Sequence, residues 1–259
     1  VRPSRPTVRQ SYLGYFLRAV KTVAPKRLAS NHGHVAELPV IDLSSDPNQL
    51  RAALRQVAHE VGFFYLTGHG VSPQLVHEVL SAARKLFALS EADKEAIAMV
   101  RSPHFRGFTR LGGELTGGLT DWREQIDVGP ERAASPTAHG HDYMWLQGPN
   151  QWPAAVPEFR PALESWDIAL AEVGRKLLRE WAIALGSDGA VFSEAFGDEP
   201  ATLIKVIRYP PDGTTAQGVG AHRDSGVLTL LSPSRELGVC RSRWTEPGWR
   251  SRGARVRSS

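Results

Sequence analysis

The stretch from Pro157 to Leu185 constrains the fold more than any other part of the chain. Phe159, Leu163, Trp166, Leu170, Val173, Leu177 and Trp181 recur at three- and four-residue spacing, the period of one face of an α-helix, and Gly186 stops the run. A helix this long with one apolar stripe has to lay that stripe on other elements. The sequence supplies them on both sides. Leu38-Pro-Val-Ile-Asp-Leu43 reads as a short buried strand, and residues 47–62 as a helix carrying Leu50, Leu54, Val57 and Val61. Gly62-Phe-Phe-Tyr-Leu-Thr67 reads as a second strand, followed by a turn at Gly68-His-Gly-Val71. Ser72-Pro73 then caps and opens a helix with Leu75, Val79, Ala82 and Leu86 on one face, and Ser90 opens a shorter one. Residues 101–155 read as loop-rich. After the long helix, Leu203-Ile-Lys-Val-Ile-Arg-Tyr209 alternates like a strand, Pro210-Pro-Asp-Gly213 turns, and Val227–Leu231 reads as the next strand, able to pair beside the 203–209 strand. This order predicts an α+β protein.

At 259 residues the chain is long enough to bury a core without covalent staples. Its single cysteine, Cys240, excludes a disulfide framework and fits a reducing, cytoplasmic setting. No run is long enough to span a bilayer. The net charge of +4 is unevenly spread: residues 1–36 carry seven Lys/Arg and no acid, and residues 235–259 carry seven Arg against two Glu. Such ends are expected to be disordered tails rather than a nucleic-acid or membrane surface, although residues 1–36 also have the Arg/Ser-rich, acid-free character of a transit peptide.

The chemistry concentrates in Gly218-Val-Gly-Ala-His-Arg-Asp-Ser-Gly-Val-Leu-Thr-Leu-Leu231. On extended backbone residues i and i+2 share a face, so His222 and Asp224 converge on one point. They are two thirds of the two-His-one-carboxylate set that holds non-haem Fe(II) and leaves positions open. The other candidates have plainer readings. His69 in Gly-His-Gly reads as a turn histidine bonded to backbone. Asp121 and Glu124 read as a helix start with a solvated or Arg-paired face, and Trp145, Trp152 and Trp166 as core and loop packing. The His32/His34 and His139/His141 pairs lie in stretches too loose to preform a metal site.

The chain resembles the 2-oxoglutarate- and Fe(II)-dependent dioxygenases, in their isopenicillin N synthase-like branch. The resemblance rests on the segment around His222 and, in order before it, on Leu38–Leu43, Val61–Val71, Arg106-Gly-Phe108 with Asp121-Trp-Arg-Glu124, and Ile207-Arg-Tyr-Pro-Pro211. It implies an N-terminal helical and strand cap followed by a double-stranded β-helix, or jelly roll. It also implies Fe(II) held by His222, Asp224 and a distal histidine, with 2-oxoglutarate as co-substrate and O2 as oxidant. Tyr209 would touch the co-substrate or the substrate, and the reaction would be hydroxylation, desaturation or ring closure of a small molecule. Neither nucleic acid nor membrane is an expected partner; the oligomeric state is left open.

Beyond Leu231 the resemblance stops. No histidine follows His222, and the remaining residues are Arg-rich without strand periodicity. Back-translated with GC-rich codons and shifted by one base, they can spell the missing strand–turn–strand pattern, so a frameshifted tail is expected. The implied organisation is a basic tail over 1–36, the N-terminal dioxygenase region over 37–200, the start of an incomplete jelly roll over 201–232, and a non-family tail over 233–259. Loss of the distal ligand is expected to impair this chain; the alternative is a non-catalytic binding module derived from the same fold.

Overall fold

The structure, a computed structural model, describes residues 16–17, 38–134, 145–198, 200–210, 218–224 and 226–232. It opens with a βαβ unit. Strand β2 (Val40–Asp42) pairs in parallel with β3 (Tyr65–Thr67), in the register Ile41 to Leu66, and helix α1 (Pro47–Glu60) connects them. The start of α1 follows from its sequence: the Asp46 carboxylate accepts from the Asn48 and Gln49 amides, and Pro47 occupies the first turn. Ser72 caps α2 (Pro73–Phe87) and Ser90 caps α3 (Glu91–Ala96) in the same way.

Helix α4 (Phe159–Ala184) is the long helix, and it packs against both α1 and α2. Six of the seven residues of its expected stripe are buried, from Phe159 to Leu177. The seventh, Trp181, is half-buried and meets Phe64 edge-on at 6.1 Å. Across the α1–α4 contact Arg51 Nε donates to the buried Glu180 carboxylate at 2.7 Å. A short helix, α5 (Val191–Phe196), follows.

The expectation of loop over 101–155 is corrected. Strands β4 (Gly107–Thr109) and β7 (Glu124–Val128) form an antiparallel sheet with β8 (Ile204–Arg208), in the order β4-β7-β8. A hairpin, β5 (Leu115–Thr116) and β6 (Leu119–Thr120), turns at Gly117-Gly118, both with positive φ. All five residues of β7 are buried although three are polar, which is why its pattern does not read as a strand. The expected strand at Val227–Leu231 is shorter, β9 (Thr229–Leu230). It pairs in parallel with β1 (Phe16–Leu17), not with β8. β1 falls within the expected basic tail; the rest of residues 1–36, and all of 233–259, lie outside the described residues. No described helix is long and apolar enough to cross a membrane.

The turn between β3 and α2 shows how tightly the cap is built. Gly68 has φ of +60°, and a Cβ there would overlap Asp42 Oδ1 and crowd Ser44 Oγ. Gly68→Ala is therefore expected to lose about 2 kcal/mol or more, read as a lowered urea midpoint at unchanged m-value. His69 Nδ1 accepts from the Val71 amide at 3.1 Å, the backbone role expected of it. Burial pushes the His69 imidazole below its ordinary value, so the folded state favours the neutral ring. The unfolded chain takes up that proton first as pH falls through about 6.5, so this site's contribution is full above that pH and lost below it. His69→Asn keeps a side-chain acceptor two residues before Val71 without titrating. Its melting temperature is expected to fall less than that of the wild type between pH 7.5 and pH 5.5.

Candidate metal centre

Asp224 and His222 come together, but on irregular loop at 222–224 rather than on the extended strand expected. His222 Nε2 lies 3.3 Å from Asp224 Oδ1. The other ring nitrogen, Nδ1, lies 2.8 Å from the Gly220 carbonyl oxygen. A carbonyl only accepts, so Nδ1 carries a hydrogen, and in the neutral ring Nε2 then presents its lone pair to the carboxylate. Two acceptors facing each other at that distance call for a cation between them: a proton on Nε2, or a metal ion.

The donor set fits a metal. Ligands at right angles on bonds of about 2.1 Å lie about 3.0 Å apart, close to the observed spacing. The ring is oriented by a bond from its far nitrogen, as ligating histidines usually are. Thr229 Oγ1 donates to Asp224 Oδ2 at 2.8 Å, which leaves Oδ1 for the shared point. The side chains of His222 and Asp224 are 46% and 41% exposed, so the point is open to small molecules. Among the described residues no group of three or more His, Cys, Asp or Glu comes together around a metal-sized point. His32, His34, His139 and His141 lie outside the described residues.

Tyr209, just past β8, lies alongside the start of the same loop. A Cβ at Gly218 would stand 3.1 Å from the Tyr209 ring, so the glycine lets the ring and the loop pack together. Tyr209 is thus brought beside the loop that carries His222 and Asp224.

Sequence reasoning missed the support beneath the loop. Asp121 and Glu124 do not start a helix, and neither is solvated. Asp121 is fully buried after β6, and Glu124 begins β7. The expected pairing with arginine does occur: Arg123 Nη2 lies 3.2 Å from Asp121 Oδ2, and Arg208 pairs with Glu124. Glu124 also faces the buried Lys94, with Nζ to Oε2 at 3.4 Å. On the other face of β7, Asp127 pairs with Lys205 and accepts from Gln125 Nε2 at 2.7 Å. Asp121 reaches farther: its Oδ1 accepts from the backbone amide of Gly220 at 3.0 Å. The signal in the sequence was the Asp121-Trp-Arg-Glu124 motif itself, read for its charge rather than for its reach.

The rest of the central signature is architectural. Arg106 is buried and donates to the His104, Phe105 and Leu146 carbonyls. Gly107 has φ of +119° where Gln151 and the Ile97 carbonyl leave no room for a side chain. Trp166 is buried and Trp152 packs edge-on against Phe159, as expected, but Trp145 is exposed.

Comparison with known proteins shows the family of the chain. Residues 38–155 match the family described as non-haem dioxygenase in morphine synthesis, N-terminal. A homoarginine-6-hydroxylase of Glycine max is 31% identical over 236 residues, covering 83% of this chain and 71% of that protein. The chain belongs to the 2-oxoglutarate- and Fe(II)-dependent dioxygenase family. A 2-oxoglutarate-dependent dioxygenase of Dothideomycetidae sp. (strain 11243) is 33% identical over 214 residues, covering 78% of this chain and 57% of that protein. A 2OG-Fe(II) oxygenase family protein from Caulobacter crescentus shares the fold, with a TM-score of 0.60 at 22% identity, over 71% of this chain and 60% of that one. Members of the family are enzymes, and Fe(II), 2-oxoglutarate and O2 are what its names denote. This dioxygenase chain spans between about half and about seven tenths of the length of these relatives.

Removing the carboxylate between Lys94 and Arg208 takes from the buried Lys94 ammonium its buried partner and leaves it the exposed Glu91. Glu124→Ala is expected to destabilise the protein by about 3–5 kcal/mol in urea denaturation. Arg208→Ala, which removes the more exposed partner, is expected to cost less.

Proposed function

We propose that His222 and Asp224 are two ligands of a catalytic Fe(II), and that the complete site oxidises a small molecule by hydroxylation, desaturation or ring closure. The 3.3 Å gap between His222 Nε2 and Asp224 Oδ1 carries this reading. When bound, the metal with 2-oxoglutarate and O2 supplies oxidising power: the keto acid becomes succinate and CO2, and the substrate loses hydrogen or gains oxygen. The chain's residues do the rest. His222 offers a lone pair in a fixed tautomer. Asp224 offers negative charge on one oxygen, while Thr229 holds the other. Tyr209 stands at the approach, where contact with co-substrate or substrate is proposed. Strands β8 and β9 are proposed as the beginning of a jelly roll whose remaining strands would cover the pocket. A small molecule is the proposed partner, and the single cysteine agrees with a cytoplasmic setting.

The third ligand is proposed to be a histidine absent from residues 1–259 and present in a one-base restored reading frame. On that reading the present polypeptide binds metal through two donors and turns over poorly. A second reading, a binding module derived from the same fold, is favoured for this polypeptide by the lack of a third donor among the described residues.

The test compares residues 1–259 with the product of the gene restored by one base between codons 230 and 260. Succinate release from 2-oxoglutarate is followed with a panel of small molecules that includes homoarginine. The restored protein is expected to release succinate in an Fe(II)-dependent way that His222→Ala abolishes, and residues 1–259 little or none. Failure of the restored protein to bind Mn(II) at all would remove the dioxygenase reading. Mn(II) binding without succinate release would favour the binding module.

A further inference from the structure

Asp121 is a buried carboxylate that the proposed chemistry does not use. It lies 99 positions before the residue whose amide it accepts. Its two oxygens are divided. Oδ1 takes the Gly220 amide at 3.0 Å. Oδ2 takes Thr116 Oγ1 at 2.7 Å and faces Arg123 Nη2 at 3.2 Å. Thr116 belongs to the β5–β6 hairpin, and Arg123 Nη2 is also 3.8 Å from Glu114. The carboxylate is therefore held from below before it reaches the metal loop.

Gly220 is gripped on both sides. Its N–H goes to Asp121, and its carbonyl takes the hydrogen on His222 Nδ1 at 2.8 Å. It is buried, while residues 221–224 are exposed. An exposed loop bearing a metal ligand has little packing to fix it, so its geometry has to come from such anchors. We infer that Asp121 is a positioning residue: through Gly220 it fixes the Nδ1–H tautomer of His222 and aims Nε2 at the point shared with Asp224. A carboxylate suits the role because it is acceptor-only, so it cannot turn a donor toward the Gly220 amide as a carboxamide can. A charge-assisted bond to a backbone amide is also stronger than a neutral one.

The inference rests on the metal reading of His222 for its meaning, but its test does not. In the metal-free full chain, the His222 ring nitrogens are read by 15N NMR, and exchange of the Gly220 amide with deuterium is timed. The wild type is expected to show a single Nδ1–H tautomer, and a Gly220 amide protected at least tenfold more than that of the neighbouring Ala221. Asp121→Asn is expected to mix the tautomers and lose the protection. Asp121→Glu, which restores the charge with one more methylene, is expected to recover part of both. Thr116→Val, which removes only one support of the carboxylate and keeps its shape, serves if Asp121→Asn fails to fold, and is expected to shift the same signals less. Broadening of His222 signals by added Mn(II) is then compared. Loss of Asp121 is expected to weaken it 10- to 100-fold, the usual cost of removing an outer partner of a metal ligand. A Gly220 amide that exchanges as fast as Ala221 in the wild type, or an unchanged tautomer in a folded Asp121→Asn, would overturn the inference. Absence of any Mn(II) broadening in a wild type with a fixed tautomer would instead count against the metal reading and leave the positioning role standing.

Discussion

The segment 121–127 has to bury four polar side chains, Asp121, Glu124, Gln125 and Asp127, in the middle of the molecule, and much of the structure is arranged to meet that demand. Uncompensated, a buried carboxylate is among the costliest groups a fold can hold. Here the charges are answered from several elements. Lys94 comes from α3, Lys205 and Arg208 from β8, and Arg123 from the strand's own approach. The pairing fixes which strand lies beside β7 and in what register: Glu124 stands opposite Arg208, and Asp127 opposite Lys205. A slip of one residue would set each carboxylate against an apolar partner and turn the strand's faces over. The ion pairs are thus better understood as specifying the sheet than as stabilising it, since buried pairs add little net energy against an apolar alternative.

The loop at 218–224 inherits its position from the same segment. β8 ends beside Tyr209, and Asp121 holds Gly220, a buried residue of that loop. The His222–Asp224 pair therefore depends on a strand formed some hundred residues earlier and on a short helix that buries Lys94 behind it. β7 joins the two parts, bonded to β4 on one side and to β8 on the other.

What the sequence made legible was whatever followed a simple period or a local rule. The α4 stripe, the caps at Ser72 and Ser90, and the turn role of His69 all depend on neighbours a few residues away. The approach of His222 to Asp224 was expected from the period of a strand, but it occurs on irregular loop. β7 was not, because Glu-Gln-Ile-Asp-Val presents neither alternation nor an apolar run; the ion-pair partners of Glu124 lie about 30 and about 85 residues away. Asp121 was misread for the same cause, a buried role supplied by groups that only the fold brings near. The pairing of β9 with β1 was equally out of reach, since two-residue strands carry no pattern of their own.

Lys94 has a side chain only 4% exposed, with Glu91 and Glu124 closing on its ammonium and the Phe108 ring 5.4 Å away. Amine-acylating reagents need a free, accessible nitrogen, which this lysine offers only when α3 lifts from β7. Its rate of acylation, set beside that of the exposed Lys85, would serve as a clock for the opening of the cap, built into the chain without any added label.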